Sequence, residues 1–437
     1  MRSIDFSLEE ASKISGNGLL RTLRKVTLPL VMPAVLSAFL LITISGFDNF
    51  DYPFIIGQPA GIHVLATEVY FYAAERSPPS YGDAAIISAF YILITLILVG
   101  VYIWMTHRSY KYTTVTGKPS ARTLYKLGSW KVAGVLVCFA IMAFDFFLPF
   151  AAIVFVSLTS LATFAGNHVL IKFNFPQAYI TAIHIPLFYQ ALTDTLEIAL
   201  SSAVLITIAG TILAYAALRN KTRGARFAEI VSTIPLAFPG IVYAVGLFWM
   251  FLILPGANSL FGTIWPLMIA LTVVRLPAAT RIISANLVQI SKELEETSQV
   301  VGSSLLRTLR KITLPLITNA IADCFGYNFV DSMRELGAVI MLSSPSALAF
   351  TVLITDYYEA EQGSLSTVAA ASVMLTLLIG AFLTGFGVLN HFVSRRRKRA
   401  MAARSTDDVP QVLGEEMSPR IISQQVPVTG TAVNATT

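Results

Sequence analysis

Few residues in this 437-residue chain have the type and spacing for bond-making chemistry. Gly117-Lys118 has a trace of phosphate-loop character, but Tyr112 stands where the first glycine of such a loop belongs and Pro119 follows the lysine, so the segment cannot cradle ATP phosphates. The five histidines, His63, His107, His168, His184 and His391, lack ligand spacing and read as surface or interface residues, with no metal site expected. Cys138 and Cys324 both lie in apolar runs and read as packing residues, not as a disulfide framework. What remains are charged and polar groups inside apolar stretches: Asp48, Asn49 and Asp51, then Asn328, Asp331, Arg334 and Glu335, with Asp145 as a further buried acid. Burying such groups is costly, so they pair or line a path. Asp48, Asp331, Arg334 and Glu335 are therefore candidates for a translocation path, and no catalytic residue is expected. Asp48 and Arg334 occupy equivalent places in two repeats; they either face one another near a central axis or lie solvated at the outer membrane edge.

The repeats are the second observation. Leu19 to Leu30 reads LLRTLRKVTLPL and Leu305 to Leu316 reads LLRTLRKITLPL, identical at eleven of twelve positions. Upstream, Glu10-Ala11-Ser12 and Gly16 match Glu296-Thr297-Ser298 and Gly302 in the same register, and both copies close on Leu-Pro, Leu28-Pro29 and Leu314-Pro315. On an α-helical wheel Arg21, Arg24 and Lys25 share one side and Leu19, Leu23 and Val26 the other, repeated by Arg307, Arg310, Lys311 and Leu305, Leu309, Ile312. Each copy is thus expected to be a basic amphipathic helix with a bend permitted at the glycine and a stop at the proline.

Composition sets the surroundings. Hydrophobic residues make up 55% of the chain, charged residues 13%, and the mean hydropathy is +0.68, the signature of an integral membrane protein. The net charge of +6 is spread in a way that argues against nucleic acid. Apolar segments near 33–50, 84–105, 132–157, 193–218, 229–253, 263–280, 317–341 and 367–392 predict eight spans. With the first motif placed in the cytoplasm, 27 of the 31 basic residues fall in inside segments. Six spans separate the motif copies, so both face the cytoplasm and the duplication is parallel, which weighs against transporters built from inverted halves. Within the second unit, which begins near Lys131, four spans precede the motif, and within the first unit none does, so the chain is expected to be an N-terminally shortened form of a longer two-unit protein. The expected organisation is a partial first unit at 1–106 with two spans, a cytoplasmic linker at 107–130, a complete second unit at 131–393, and a disordered cytoplasmic tail at 394–437. The span containing Ile234-Pro235 and Phe238-Pro239-Gly240 is expected to be kinked or broken.

The Glu-to-Gly-to-Leu-Pro pattern resembles the signature loop of the inner-membrane subunits of binding-protein-dependent, ATP-driven (ABC) importers. The resemblance implies an all-α membrane protein, a parallel tandem repeat of the type I, MetI-like permease fold with its first repeat incomplete. It implies coupling helices, the second at 293–315, that dock on two copies of a separate cytoplasmic ATPase through Glu10, Ala11, Gly16, Leu28 and Pro29, and through Glu296, Thr297, Gly302, Leu314 and Pro315. It also implies an external solute-binding protein as partner, a bacterial inner-membrane location, no cofactor bound by this chain, and ATP hydrolysed by the partner. Ser12, Thr297 and Ser298 depart from the alanines usual in the family. Thr114-Val115-Thr116-Gly117-Lys118, Pro239-Gly240-Ile241-Val242 and Arg334-Glu335-Leu336-Gly337-Ala338 look like the ferric-iron branch, although permeases for phosphonates, thiamine and polyamines are similar. A parallel-repeat secondary transporter or a membrane scaffold would leave the repeated motif unexplained.

Overall fold

The computed structural model describes residues 12, 14–16, 18–109, 130–165, 168–219, 223–360 and 364–407. Most of the linker and the tail beyond Asp407 lie outside them, as do Glu10 and Ala11. The principal helices are α1 (Leu28–Asp48), α2 (Tyr81–Ser109), α3 (Trp130–Met142), α4 (Leu148–Leu158), α5 (Phe188–Arg219), α6 (Arg223–Thr233), α7 (Gly240–Ile253), α8 (Ile264–Leu287), α9 (Lys292–Val300), α10 (Thr318–Met333), α11 (Phe350–Glu359) and α12 (Leu365–Asp407). An antiparallel hairpin, β1 (Thr159–Ala165) and β2 (His168–Phe173), follows α4 and was not foreseen in an all-helical reading. Its β-branched and aromatic residues favour extended pairing.

Among the described residues, five helical stretches are long and apolar enough to span a bilayer: Tyr81–Met105, Lys131–Leu158, Phe188–Arg219, Ile264–Leu287 and Leu365–Arg396. A sixth arises if Phe227–Ala237 and Gly240–Ile253, bent by 102° where Pro235 and Pro239 interrupt the ladder, count as one broken span. The expected break is therefore present, and the remaining two expected spans, 33–50 and 317–341, fall on α1 and α10. α1 has the length of a span at 21 residues, Leu28–Asp48, whereas α10 has only 16 before the chain leaves helix at Arg334. A span needs about 20.

The tail reading also changes. Residues 394–407 continue α12, because the Arg, Lys, Ala and Met residues there are good helix formers. By contact the chain divides into Met1–Thr384 and Gly385–Thr437, so both motif copies belong to the first compact unit. One core runs through it, joining Phe50, Phe54 and Tyr91 of the first repeat to Ile241, Phe251, Phe329 and Phe350 of the second. The hydroxyl of Tyr91 donates to the carbonyl of Phe47, and that of Thr95 donates to Ala237 O at 2.6 Å, tying α2 to the broken span. Cys324 is buried, as expected, but Cys138 and Asp145 are exposed on a stretch, Lys131–Leu158, that buries nothing against the described residues.

Small residues let α5 and α8 approach closely, the usual device where apolar surface alone does not drive helix pairing. A Cβ at Gly210 would lie 2.8 Å from Ala279 Cβ and 3.2 Å from its carbonyl carbon, whereas one at Gly246 would meet nothing within 4 Å. Gly210→Val should therefore lower the thermal midpoint of the detergent-solubilised protein, at an overpacking cost of about 1–3 kcal/mol. Gly246→Val, assayed alongside, should leave it nearly unchanged.

Candidate functional site

The motif copies form matching elbows. In the second, Ser291 caps α9 by accepting the Glu293 amide at 3.3 Å, and Glu293 and Glu295 in the first turn suit the positive end of the helix dipole. The helix ends at Val300, and Gly302 takes a left-handed conformation at φ +90°; Gly16 does the same at φ +78°. Only glycine adopts this without strain, which gives the fixed Glu-to-Gly spacing its physical reason. Across each turn two hydroxyls meet, Ser298 with Thr308 at 3.0 Å and Ser12 with Thr22 at 2.9 Å. The serines that depart from the family's alanine thus staple the elbow closed.

Sequence reasoning missed a second glutamate beside the one it named. Glu296 is exposed and Thr297 back-bonds to Glu293 O at 2.6 Å, while the neighbouring Glu295 is only 5% exposed. Its Oε1 accepts the Thr313 hydroxyl at 2.9 Å and ion-pairs with Arg219 Nε at 3.2 Å, and its Oε2 accepts the Tyr215 hydroxyl at 3.2 Å. Arg219 in turn donates to the carbonyls of Leu287 and Ile290 at 3.3 and 3.0 Å. Glu295 thereby fastens α9 to α5, to the end of α8 and to the segment leading into α10.

The amphipathic-helix reading needs a correction. Leu305 and Leu23 are exposed, and the buried residues are Thr308 and Thr313, with Thr22 and Thr27 in the first copy. Leu309–Thr313 and Leu23–Thr27 are π turns, with i→i+5 hydrogen bonds in place of i→i+4, so the α-helical wheel assigns the wrong face. The π turns also explain why Pro29 does not stop its helix. The amides of Leu28 and Leu314 reach back to Leu23 O and Leu309 O, so the widened turn comes just before the residue that has no amide to give. The same arrangement precedes Leu148-Pro149, after a π turn at Ala143–Phe147. Leu28, Pro29 and Pro315 are exposed and Leu314 is half-buried. Around the glycines stand bare apolar side chains: Val300 and Ile14 are each 87% exposed, with Val301 and Leu306 close behind.

Deep in the bundle, Asp331 on α10 is the centre of a charge cluster. Arg275 on α8 ion-pairs with it at 2.5 Å and with Glu335, and Arg334 reaches back to it at 2.7 Å. Glu335 also accepts the Ala338 amide at 3.2 Å, shaping the turn after α10. The cluster thus unites three of the four path candidates. Asp48 and Arg334 do not pair: Asp48 accepts the Gly240 amide at 2.7 Å, while Phe50 packs against Gly337, where an added Cβ would stand 3.0 Å from that of Phe50. Arg275 was missed because it lies in a different apolar run from its partners and no spacing connects them. A separate cavity of about 510 Å³ lies between the two repeats, lined by Phe54, Gln58, Glu75, Thr355, Tyr358 and Glu359. Among the described residues no cluster of metal-binding geometry is present.

The family described as binding-protein-dependent transport system inner membrane component matches residues 1–110 and 206–399. The chain belongs to this family. Among relatives of this permease, the ferric transport system permease protein FbpB of Actinobacillus pleuropneumoniae is 25% identical over 384 residues, covering 88% of this chain and 54% of that protein. The putative ferric transport system permease protein FbpB 1 of Haemophilus influenzae is 27% identical over 356 residues, covering 80% and 54%. The permease chain therefore spans about half the length of these relatives. A bacterial ABC transporter involved in the import of alginate aligns with a TM-score of 0.48 at 17% identity, covering 60% of this chain and 96% of that one.

Replacing Glu295 with Ala strands a buried guanidinium and two hydroxyls. Glu295→Ala should destabilise the permease by about 3–5 kcal/mol in a thermal or denaturant melt, as breaking a buried pair does, whereas exposed Glu296→Ala should stay within about 0.5 kcal/mol. A pH effect is expected at the cavity between the repeats. Partial burial, reinforced by the carboxylates of Glu75 and Asp356, pushes Glu359 up from 4.5 to about 7. The folded state holds this proton more tightly than the unfolded chain, so its contribution is full below pH 4.5 and is lost as the pH rises through about 7. Glu359→Gln should flatten the fall of the melting midpoint over that interval.

Proposed function

We propose that this chain is a translocation subunit of an ATP-driven importer whose energy comes from ATPase subunits outside the chain. The observation that carries this reading is the pair of elbows. Each presents exposed apolar residues at a glycine turn, Ile14 in one and Val300, Val301 and Leu306 in the other. Apolar residues projecting from a polar turn suit insertion into a groove on a partner protein. Two such elbows match two ATPase copies. In the second elbow a rigid linkage is built behind the contact: a push on α9 passes through Glu295 to Arg219, Tyr215 and Thr313, hence to α5 and the base of α10.

On this reading both elbows face the cytoplasm of a bacterial cell, and an external solute-binding protein delivers cargo to the opposite side. The permease holds no ATPase site of its own and needs no cofactor. Asp331, Arg275, Arg334 and Glu335 at the outer end of α10, with Asp48 across the repeat boundary, close the path between substrate deliveries. Rocking of the repeats against each other then re-forms or releases these pairs. Ferric iron is the cargo supported by the names of the two FbpB relatives.

The permease should capture a cognate ATPase from solution with two copies per chain. Ile14→Glu combined with Val300→Glu should abolish capture without shifting the melting midpoint, since both side chains are exposed. Capture that survives both changes would refute docking at the elbows. Uptake of radiolabelled ferric iron by cells carrying the whole system, competed by excess phosphonate or thiamine, tests the cargo; inhibition by those solutes and not by iron would reassign it.

A further inference from the structure

Away from the elbows and the charge cluster, a cavity of about 310 Å³ opens where α2, α5, α6 and α8 come together. Its polar lining comes from Glu229, Ser232 and Thr233 on α6, and Thr280, Arg281 and Ser284 on α8. The level of the cavity follows from the chain. Arg281 lies six residues before the end of α8 and Glu229 six residues into α6, about 9 Å from each helix end at 1.5 Å per residue. Both ends are on the elbow side of the bundle, since Arg219, just before α6, holds the carbonyl of Leu287. The cavity therefore sits at head-group depth of that leaflet, cytoplasmic on the reading above.

The two charges on its wall are opposite and are not paired with each other. The Arg281 guanidinium is set over the Tyr102 ring at 5.1 Å and forms no ion pair with a described carboxylate, leaving its donor edge for an anion. Glu229 is exposed and likewise forms no ion pair with a described base. The hydroxyls of Ser232 and Thr233 donate to Glu229 O at 2.9 and 2.8 Å, and that of Thr280 to Leu276 O at 2.8 Å. Their protons are thereby committed, so toward the cavity these oxygens act as acceptors. Beside a carboxylate, acceptors suit an ammonium that still has hydrogens to donate and offer nothing to a quaternary one.

We propose that this cavity binds a phosphate ester bearing a primary ammonium, the phosphoethanolamine group, with its phosphate on Arg281 and its ammonium on Glu229 and the hydroxyls of Ser232 and Thr233. Depth favours the membrane lipid as its source: exposed Ile103 and half-buried Leu218 at the rim provide apolar surface for acyl chains. The bound head group bridges α6 and α8 beside α2, and so joins the first repeat to the second near the elbows.

The test uses the full chain, purified in detergent, delipidated and mixed with equimolar phosphatidylethanolamine, phosphatidylcholine and phosphatidylglycerol, with retained lipid counted by native mass spectrometry. The wild-type protein should retain phosphatidylethanolamine over phosphatidylcholine by about tenfold, the weight of one charge-assisted hydrogen bond. Glu229→Gln should reduce that preference toward parity, and Arg281→Gln should lower retention of both lipids. If Arg281→Gln does not yield monodisperse protein, Ser232→Ala should still weaken phosphatidylethanolamine selectively. Displacement by millimolar O-phosphoethanolamine would uphold the chemistry and identify a soluble ligand as the source; no displacement identifies the lipid. Equal retention of the ethanolamine and choline lipids by wild type, or a preference untouched by Glu229→Gln, overturns the proposal. No ATPase enters the assay, so failure of elbow docking leaves its outcome readable.

Discussion

A carboxylate taken out of water has to be compensated on every side, and Glu295 shows what that demands of its surroundings. An ion pair at such a site gains little net stability, because desolvation of both partners opposes their attraction. What it does gain is geometry. Glu295 accepts from Thr313 and Tyr215 and faces Arg219, whose other donors are fixed on the carbonyls of Leu287 and Ile290. Four segments are thus indexed to one carboxylate. A helix lying at the membrane surface and held only by apolar contact could slide; one tied this way transmits displacement. The turn at Gly302 can then stand in solvent with its valines bare, since its anchoring at Glu295 lies about two helical turns behind it.

The second charged centre follows the same rule at a different depth. Arg275 and Asp331 come from helices that pack against each other, and Glu335 closes the group from the non-helical segment beyond α10. Removing any one partner would leave a charge in a poorly solvated place, so the group is made or broken as a unit. Backbone contacts connect it to the other repeat: Asp48 holds the Gly240 amide and Phe50 lies on Gly337. Gly337 admits that ring because it has no side chain, so the two repeats approach closely within their shared core at that point.

Much of this was legible in the residues, and the failures have physical causes. The duplicated Glu-Gly-Leu-Pro register identified both elbows, and the two glycines do adopt the left-handed turns that the spacing requires. The prolines of the broken span were read correctly as interruptions. The buried glutamate was missed because Glu295 and Glu296 are adjacent and only the fold decides which one faces inward. Thr308 and Thr313 were invisible to a helical wheel drawn with 3.6 residues per turn, although their invariance between the copies was a signal. The apolar segment at 317–341 leaves helix early, after Met333, because hydropathy counts apolar residues without regard to whether the backbone stays helical. Asp145 lies on a candidate span, Lys131–Leu158, that packs on none of the described residues, so its sequence neighbours could not name a partner for it.

The π turns before each Leu-Pro set the azimuth of everything that follows. Relative to an α-helix, a π turn carries one surplus residue, and each residue is worth about 100° of rotation about the axis. The turn at Leu309–Thr313 therefore acts as a phase shifter for α10. Relaxed to ordinary α geometry, it would swing Asp331 by about that angle away from Arg275. A local change of helical pitch beside the elbow is thus a rotary coupling to the buried charges about five turns away.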